Sequence, residues 1–568
     1  MIALLAEPSQ SGGFLGFSVG RWGFLLLNLL ILAGISYLLL QVWNGRTRAL
    51  EIWLADERHL AWLLVFSISS FCLALPAALG NLQPVRDFPY FGRLRPTLIW
   101  ITLAGAQIGL SLLFVLRKAI LVWLRGFFPL DSSTPAAGAE KRSTYLAMAG
   151  LGLAYAAIQG ASYLRVRAAL WLPDSIDYIY PTSFPWSDSR LWTGTKPWGA
   201  AVLYKLTGSS PVTIDAVQTI LSTLAWLCLA LAFSRLIRSG WLKISAYAFT
   251  LGFSLAPPVQ LWNHIIQSES LSLSLFVFIL STWLSLLRRW HWGKLLALIL
   301  LFGWWTGTRE TNIYLGMIVA GIVTLVGIFH RRQRFYWGVS LVLVLFGYLN
   351  LQISEIPTIP RWLYPLTNTL LNRILPNEEF FSYFQARGLD ASPELMALSG
   401  GLAHSGNFAV FNDPSLSYVE DWLYQKGKQT YIHFLLDHPL YALTAPWQNV
   451  HESLAPDVIA GYAPERYQPF AKWIFENLFF PGSPWLLLSL ALVTIAITLT
   501  AKPWQGSVAF WLLIGLLALF FPHFYLVWHG DAAEVGRHAI QASIQLRLAL
   551  WLLLFLSLDT IMNHDPRI

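Results

Sequence analysis

The sequence predicts an all-α polytopic membrane protein with about thirteen transmembrane helices and a mainly helical extracytoplasmic domain between the tenth and the eleventh. Three observations carry this prediction. Of 568 residues, 56% are hydrophobic and 12% charged, whereas a soluble domain carries about 25% charged residues. Mean hydropathy is +0.54. Apolar runs of roughly 17 to 25 residues, the length that crosses a bilayer, recur along the chain. A soluble enzyme is excluded. The two cysteines, Cys72 and Cys228, lie inside apolar runs, which offers neither a disulfide framework nor a metal cluster.

The first run, Trp22–Trp43, starts after Arg21 and lacks a small-x-small exit, so it reads as a retained helix rather than a cleavable signal. With Leu60–Leu79 and Leu98–Leu116 it forms an N-terminal three-helix region, 1–144. A membrane core follows over 145–352, with helices at Tyr145–Leu164, Thr213–Leu236, Ile244–Leu261, Ser268–Leu287, Leu295–Thr308, Ile313–Phe329 and Tyr336–Leu351 and a first extracytoplasmic loop at 173–212. Residues 353–484 form the extracytoplasmic domain, in which Tyr418–Asp437 reads as a helix ended by Pro439. The aromatic group Phe380, Phe381, Tyr383 and Phe384 is expected to pack onto the membrane surface. The last region, 485–568, holds helices at Trp485–Thr500, Val508–Val527 and Ala539–Met562.

Charge distribution orients these helices. The 38 Lys and Arg against 30 Asp and Glu give a net charge of +8. Arg46/Arg48, Arg117/Lys118/Arg125, Arg235/Arg238/Lys243, Arg288/Arg289/Lys294 and Arg331/Arg332/Arg334 fall on alternate connections, which marks that side as cytoplasmic. Arg86/Arg93/Arg95 is the exception and is outvoted. The N-terminus is then outside and the C-terminus inside. The positive-inside rule accounts for the basic clusters, and no nucleic-acid partner is implied.

In this topology the remaining ionisable residues collect at the outer ends of helices, where an intramembrane charge is a functional candidate by default. Asp174 and Asp177 follow the fourth helix, and partial desolvation there is expected to raise a carboxylate toward a general-base range. The bland reading of the pair is a solvated cap and turn. Glu269 opens the seventh helix as an N-terminal carboxylate, and with His264 it is expected to line the same cavity. Arg309 and Glu310 interrupt an apolar region, whose bland reading is a neighbouring interfacial pair. An outer-leaflet guanidinium is suited to grip a phosphate. Arg537 and His538 offer a second grip, with Glu534 placed to orient His538. His529, Asp531, Glu534 and His538 are metal-ligand types without a diagnostic spacing, so a divalent cation (Mg or Mn) stays open as the less favoured option and no cofactor is firmly expected.

The motifs Asp174-Ser-x-x-Tyr178, Gly194-Thr-Lys196-Pro197 before the amphipathic stretch Trp198–Leu206, Ser268-Glu269, Arg309-x-Thr-Asn312 and Glu534-x-x-Arg537-His538 occur in this order. In this the chain from about Tyr145 onward resembles the GT-C integral-membrane glycosyltransferases, including protein mannosyltransferase-like and arabinosyltransferase-like members. His538 stands where relatives have Tyr. The resemblance implies a polyprenyl-phosphate-linked sugar donor, a glycan, lipid or protein acceptor, and an inverting transfer. It implies a catalytic aspartate at Asp174 with Asp177 as the second candidate, Arg309, Arg537, His538 and Lys196 on the donor phosphate, and Tyr178, Glu269, His264, Glu310 and Glu534 lining the cavity. A bacterial plasma membrane with an extracytoplasmic active site is the expected location. Two alternatives remain: a transporter or flippase of lipid-linked glycans, and a glycan ligase or polymerase using lipid-pyrophosphate donors. A transporter tends to place its ionisable groups near the midplane between repeated halves, and no repeat is visible.

Overall fold

The computed structural model describes residues 137–329, 335–356, 360–454, 463–505 and 507–563. The expected spans Trp22–Trp43, Leu60–Leu79 and Leu98–Leu116 lie outside the described residues. The principal helices are α1 (Ala137–Val166), α2 (Trp198–Leu206), α3 (Pro211–Ser234), α4 (Gly240–Ser254), α5 (Ser268–Arg288), α6 (Trp292–Thr306), α7 (Glu310–Phe329) and α8 (Phe335–Ser354). They continue with α9 (Leu363–Thr369), α10 (Glu378–Gln385), α11 (Lys428–Asp437), α12 (Pro439–Gln448), α13 (Pro484–Ala501), α14 (Val508–Ala518), α15 (Phe520–Gly530) and α16 (Val535–Met562). No strand occurs among the described residues, where the only β pairing is an isolated bridge, Leu170 with Ile265. From Trp485 to Lys502 the chain belongs to a different compact unit from Gly138–Pro484 and the segment from Pro503 onward.

Among the described residues five helical stretches are long and apolar enough to cross a membrane: Pro211–Ser234, Ser268–Arg288, Pro484–Ala501, Val508–Gly530 and Val535–Met562. Shorter apolar helices occupy Trp292–Thr306, Glu310–Leu325 and Val339–Ser354. The chain is therefore a helical, membrane-embedded protein. The Val508–Gly530 stretch is interrupted at Leu519. Pro522 lacks the N–H that would bond the carbonyl of Ala518, which accounts for the break between α14 and α15.

A second expected span differs, besides Val508–Val527 with its break at Leu519. Ile244–Leu261 is not a single helix, because α4 stops at Ser254 ahead of Pro257-Pro258, whose rings and missing N–H groups end a helix. The chain then makes a short turn of helix, Pro257–Gln260, and a tighter one, Leu261–His264, before α5 begins. Every residue from 251 to 277 is buried. Irregular backbone at membrane depth is tolerated only where protein satisfies its polar groups, and here the five successive carbonyls from Asn263 to Gln267 each find a donor. Gln218 Nε2 donates to the carbonyls of Asn263 (2.9 Å) and Ile265 (3.0 Å), and the Leu170 N–H to that of His264 (2.8 Å). Ser175 Oγ donates to Ile266 O (2.8 Å), and the Tyr204 hydroxyl to Gln267 O (2.6 Å).

A second apolar core, separate from that of the membrane helices, runs from Leu363 to Phe434. The helix expected over Tyr418–Asp437 is present as Ser417–Trp422, a widened turn at Leu423–Gly427, and α11, and it ends at Asp437 with Pro439 opening α12. The expectation for the aromatic group is corrected: Phe381 and Phe384 are buried in this core, and Phe380 and Tyr383 meet Phe434 edge to face. The amphipathic helix α2 is likewise drawn inward, with Gly199, Ala200, Ala201, Leu203 and Tyr204 buried.

That inward placement depends on two glycines. The Gly199 N–H donates to Gly307 O at 2.7 Å, and Trp304 Nε1 donates to Gly199 O at 3.1 Å. A Cβ on Gly307 would lie 2.5 Å from the Trp198 ring, whereas one on Gly150 within α1 would meet nothing within 4 Å. Gly307→Ala is therefore expected to destabilise the protein by about 1–3 kcal/mol through overpacking. Gly150→Ala should be neutral or stabilising by up to about 1 kcal/mol. Thermal unfolding in detergent compares the two; equal midpoints for both variants would refute the close approach.

Candidate functional site

Three helix starts and one loop converge on a single ion cluster. Glu269 lies in the first turn of α5, where the unpaired N–H groups of a helix end favour a carboxylate. Arg309 immediately precedes α7, and Arg537 and His538 lie in the first turn of α16, which begins four residues before the expected span. The loop between α1 and α2 contributes Asp174, Asp177 and Lys196, with Asp174 immediately before the short helix Ser175–Ile179 and making no side-chain capping bond to it.

Glu269 is the buried centre of the cluster, its side chain 3% exposed. Its Oε1 lies 3.8 Å from Arg309 Nη2 and 3.9 Å from Arg537 Nε. These separations neutralise charge without being hydrogen bonds, and Glu269 Oε2 has no hydrogen-bond partner among the described residues. Arg537 reaches further, with Nη2 at 2.6 Å from Glu534 Oε2 and 3.1 Å from Asp174 Oδ2. Lys196 Nζ sits 3.3 Å from the same Asp174 oxygen and 4.0 Å from Asp177 Oδ2. His538 is not oriented by Glu534 as the spacing suggested. Its Nδ1 lies 2.9 Å from Arg309 Nη2 and its Nε2 3.8 Å from Asp531 Oδ2. Glu534 itself has left-handed backbone, φ +49°, an uncommon conformation for a non-glycine residue, at the turn that aims it at Arg537.

One turn along each of the three helices a ring of neutral groups fixes their register. Ser272 Oγ on α5 donates to Gln541 Oε1 on α16 at 2.5 Å, and Gln541 Nε2 donates to Asn312 Oδ1 on α7 at 3.3 Å. Asn312 Nδ2 closes the ring by donating to Ser272 Oγ at 2.8 Å. Ser272, Asn312 and Gln541 follow Glu269, Arg309 and Arg537 by three or four residues, the spacing that stacks side chains on one helix face.

The remaining sequence candidates separate into two groups. Tyr178 is buried beside the cluster and its hydroxyl donates to Ser268 Oγ at 3.3 Å. Glu310 pairs with Arg361 Nη1 at 3.4 Å. His264, in contrast, does not share the surroundings of Glu269. Its Nε2 lies 2.8 Å from Ser162 Oγ on α1 and its Nδ1 2.8 Å from Asp215 Oδ1 on α3, and all three are buried.

Arg361, Gln541 and Ser272 were not singled out from the sequence, and Asp531 was singled out only as a metal-ligand type. Arg361 donates through Nε to Gly194 O at 3.0 Å, and its buried Nη2 has no partner among the described residues. Its signal was a lone arginine between Pro360 and Trp362 in an aromatic segment. Gln541 and Ser272 were legible only as polar residues one turn after a charged one.

The electrostatics of the aspartate pair reverse one expectation. Burial pushes Asp174 up, but Lys196 and Arg537 together more than offset it, so its carboxyl lies below the usual value. Asp177 lies above it, raised by burial and by Asp174 with only Lys196 opposing. Burial pulls the Lys196 ammonium down, and Tyr178 and Asp174 more than restore it. Asp531 is raised by burial. The Asp174 and Glu269 carboxylates face Lys196, Arg309 and Arg537 rather than one another. No group of three His, Cys, Asp or Glu gathers to ligate a metal among the described residues.

Two stability predictions follow from these positions. Glu269→Gln leaves two buried guanidiniums with a neutral group between them and should cost about 3 kcal/mol in thermal unfolding; an unchanged midpoint would refute its central role. For the aspartates the sign differs. A carboxyl depressed in the folded state stabilises above its unfolded pKa, and that stabilisation is lost as pH falls through the depressed value; a raised carboxyl is a liability at neutral pH that is relieved as pH falls. At pH 7 Asp174→Asn should therefore lower stability, by about 1 kcal/mol once solvent screening is allowed for, while Asp177→Asn should leave it unchanged or raise it. The difference should vanish at a pH below the depressed value of Asp174. Comparison of the chain with protein-family models, with curated proteins and with solved structures returned no match.

Proposed function

We propose that the chain is a GT-C-like integral-membrane glycosyltransferase that moves a sugar from a polyprenyl-phosphate donor to an acceptor hydroxyl at the extracytoplasmic face, with inversion. The architecture we infer has about thirteen spans, the domain boundaries read from the sequence, and the N-terminus outside. The observation that carries the reading is the convergence of Lys196, Arg309 and Arg537 with two partly water-accessible carboxylates, Asp174 and Asp177, at helix ends drawn from separate parts of the chain. Cations beside an accessible carboxylate pair match the demands of this reaction, in which charge develops on the departing phosphate and a proton leaves the acceptor.

Within this reading the two aspartates divide the work. Asp174, held by Lys196 and Arg537, positions the cations that receive the donor phosphate. Asp177, with the raised proton affinity, is the general base. It takes the acceptor hydroxyl proton as that oxygen attacks the anomeric carbon. The bond from that carbon to the phosphate oxygen breaks, and its electron pair leaves with the polyprenyl phosphate, whose charge Arg309, Arg537, His538 and Lys196 stabilise. No covalent intermediate and no metal step is needed.

Asp177→Asn should lower transfer by two to four orders of magnitude, about the contribution of a general base, with donor binding retained. Arg309→Ala and Arg537→Ala should weaken donor binding and slow transfer. The measurement is sugar transfer from polyprenyl-phosphate donors in reconstituted vesicles. Wild-type rates in Asp174→Asn, Asp177→Asn and both arginine variants would overturn the reading in favour of a transporter of lipid-linked glycans.

A further inference from the structure

We infer that the hairpin of α11 and α12 is a membrane-seated element, with the stripe Ile432, Leu436, Leu440, Leu443 and Trp447 inserted among lipid acyl chains of the leaflet at the Gly530 end of α15. The inference is independent of the proposed reaction and of which side of the membrane that leaflet faces.

The stripe follows from helical spacing. Ile432 and Leu436 on α11, and Leu440, Leu443 and Trp447 on α12, recur every three or four residues within their own helix, so each helix has one apolar face, and all five are between 41% and 75% exposed. The opposite face is the buried one, with Tyr431 and Phe434 in the domain core and Ala445 also buried. Gln429, His433 and Asp437 are also exposed beside the stripe, giving α11 the polar flank of an interfacial helix. An apolar face of this extent is uncommon in contact with water and marks an interaction surface.

The neighbours of the hairpin identify the occupant as lipid. α15 is the last part of the membrane-crossing stretch Val508–Gly530, and the hairpin runs down along it. Near the end of α15, Tyr431 donates to His529 O at 3.2 Å and His529 Nε2 lies 2.8 Å from Ala442 O. Further down, Tyr525 donates to Leu443 O at 2.9 Å and Trp447 Nε1 donates to the Tyr525 hydroxyl at 2.6 Å. The Trp447 ring lies 5.0 Å from Phe524 and 6.1 Å from Phe521. At about 1.5 Å per residue Phe521 is about 13 Å below Gly530, and Phe521 is itself 48% exposed. The stripe is thus continuous with the lipid-facing surface of a membrane helix and reaches below its end. A tryptophan paired to a tyrosine hydroxyl at this depth is typical of the membrane–water boundary.

The seat bears on the ion cluster. The core that the hairpin closes holds the turn between α15 and α16 through Asn368 Nδ2, which donates to Asp531 Oδ1 at 2.8 Å, and through Arg373, whose guanidinium covers Trp528. That turn leads directly to Glu534 and Arg537.

Site-directed spin labelling tests the inference on the full chain, with Cys72 and Cys228 replaced by Ser, in phosphatidylcholine vesicles. Labels at Leu436→Cys and Leu440→Cys are compared with Ile220→Cys on α3 as the lipid reference and Glu394→Cys as the water reference. Collision with molecular oxygen at least several-fold above that with a water-soluble nickel chelate, as at Ile220, is the expected result. Preferential collision with nickel, as at Glu394, would overturn the inference by placing the stripe in water. Low collision with both reagents would overturn it by placing the stripe under a protein partner or a second copy of the chain.

Discussion

A single buried carboxylate, Glu269 between Arg309 and Arg537, is the interaction around which the described part of this protein is organised. Two guanidiniums drawn this far out of water would repel each other and lose their hydration. A shared counter-charge makes their proximity tolerable. The N-terminus of α5 holds that carboxylate in place, since its unpaired N–H groups favour negative charge. Because Glu269 neutralises both arginines at separations near 4 Å rather than through hydrogen bonds, each guanidinium keeps N–H groups for other partners. Arg537 directs its own to Asp174 and Glu534, and Arg309 faces His538.

The position of Glu269 depends in turn on the buried connection from Ser254 to Ser268. That connection is held by side chains reaching in from α2, α3 and the loop after α1, each donating to a backbone carbonyl that no helix or sheet serves. His264 adds a second tie, bridging Ser162 on α1 to Asp215 on α3. These contacts tie the connection that leads into α5 to α1, α2 and α3, while the Ser272, Asn312 and Gln541 ring sets the register of α5 against α7 and α16. Polar groups inside a membrane protein specify geometry because an unsatisfied one is costly. Here they fix the helices one turn from the charges.

Arg547 shows the same rule without a counter-charge. It is fully buried in α16, and its guanidinium donates to the carbonyls of Pro481, Ser543 and Leu454, with Phe480 against its face. Carbonyl oxygens supply the partial negative charge that a carboxylate supplies elsewhere. The result ties 454 and 481, on either side of a long connection, to one helix.

Much of this protein was legible in the chain itself. Composition and apolar run length identified a helical membrane protein, because the cost of placing backbone and charge in hydrocarbon acts on each segment locally. The same cost singled out Asp174, Glu269, Arg309 and Arg537 as exceptions, and Pro439 marked the end of α11, whereas Pro257-Pro258, which end α4, were read through as part of one span. What only the tertiary structure decided was pairing. Asp174 and Arg537 are 363 residues apart, and nothing in either segment indicates that Lys196 and Arg537 would pull that carboxyl down and leave the higher proton affinity to Asp177. Nor does local sequence distinguish His264, turned toward Ser162, from Glu269 five residues on, or the aromatic side chains that fill the Leu363–Phe434 core from the apolar stripe of α11 and α12 that faces outward. Partition into a membrane is a property of a segment. Charge compensation and burial are properties of neighbours, and those exist only once the helices have packed.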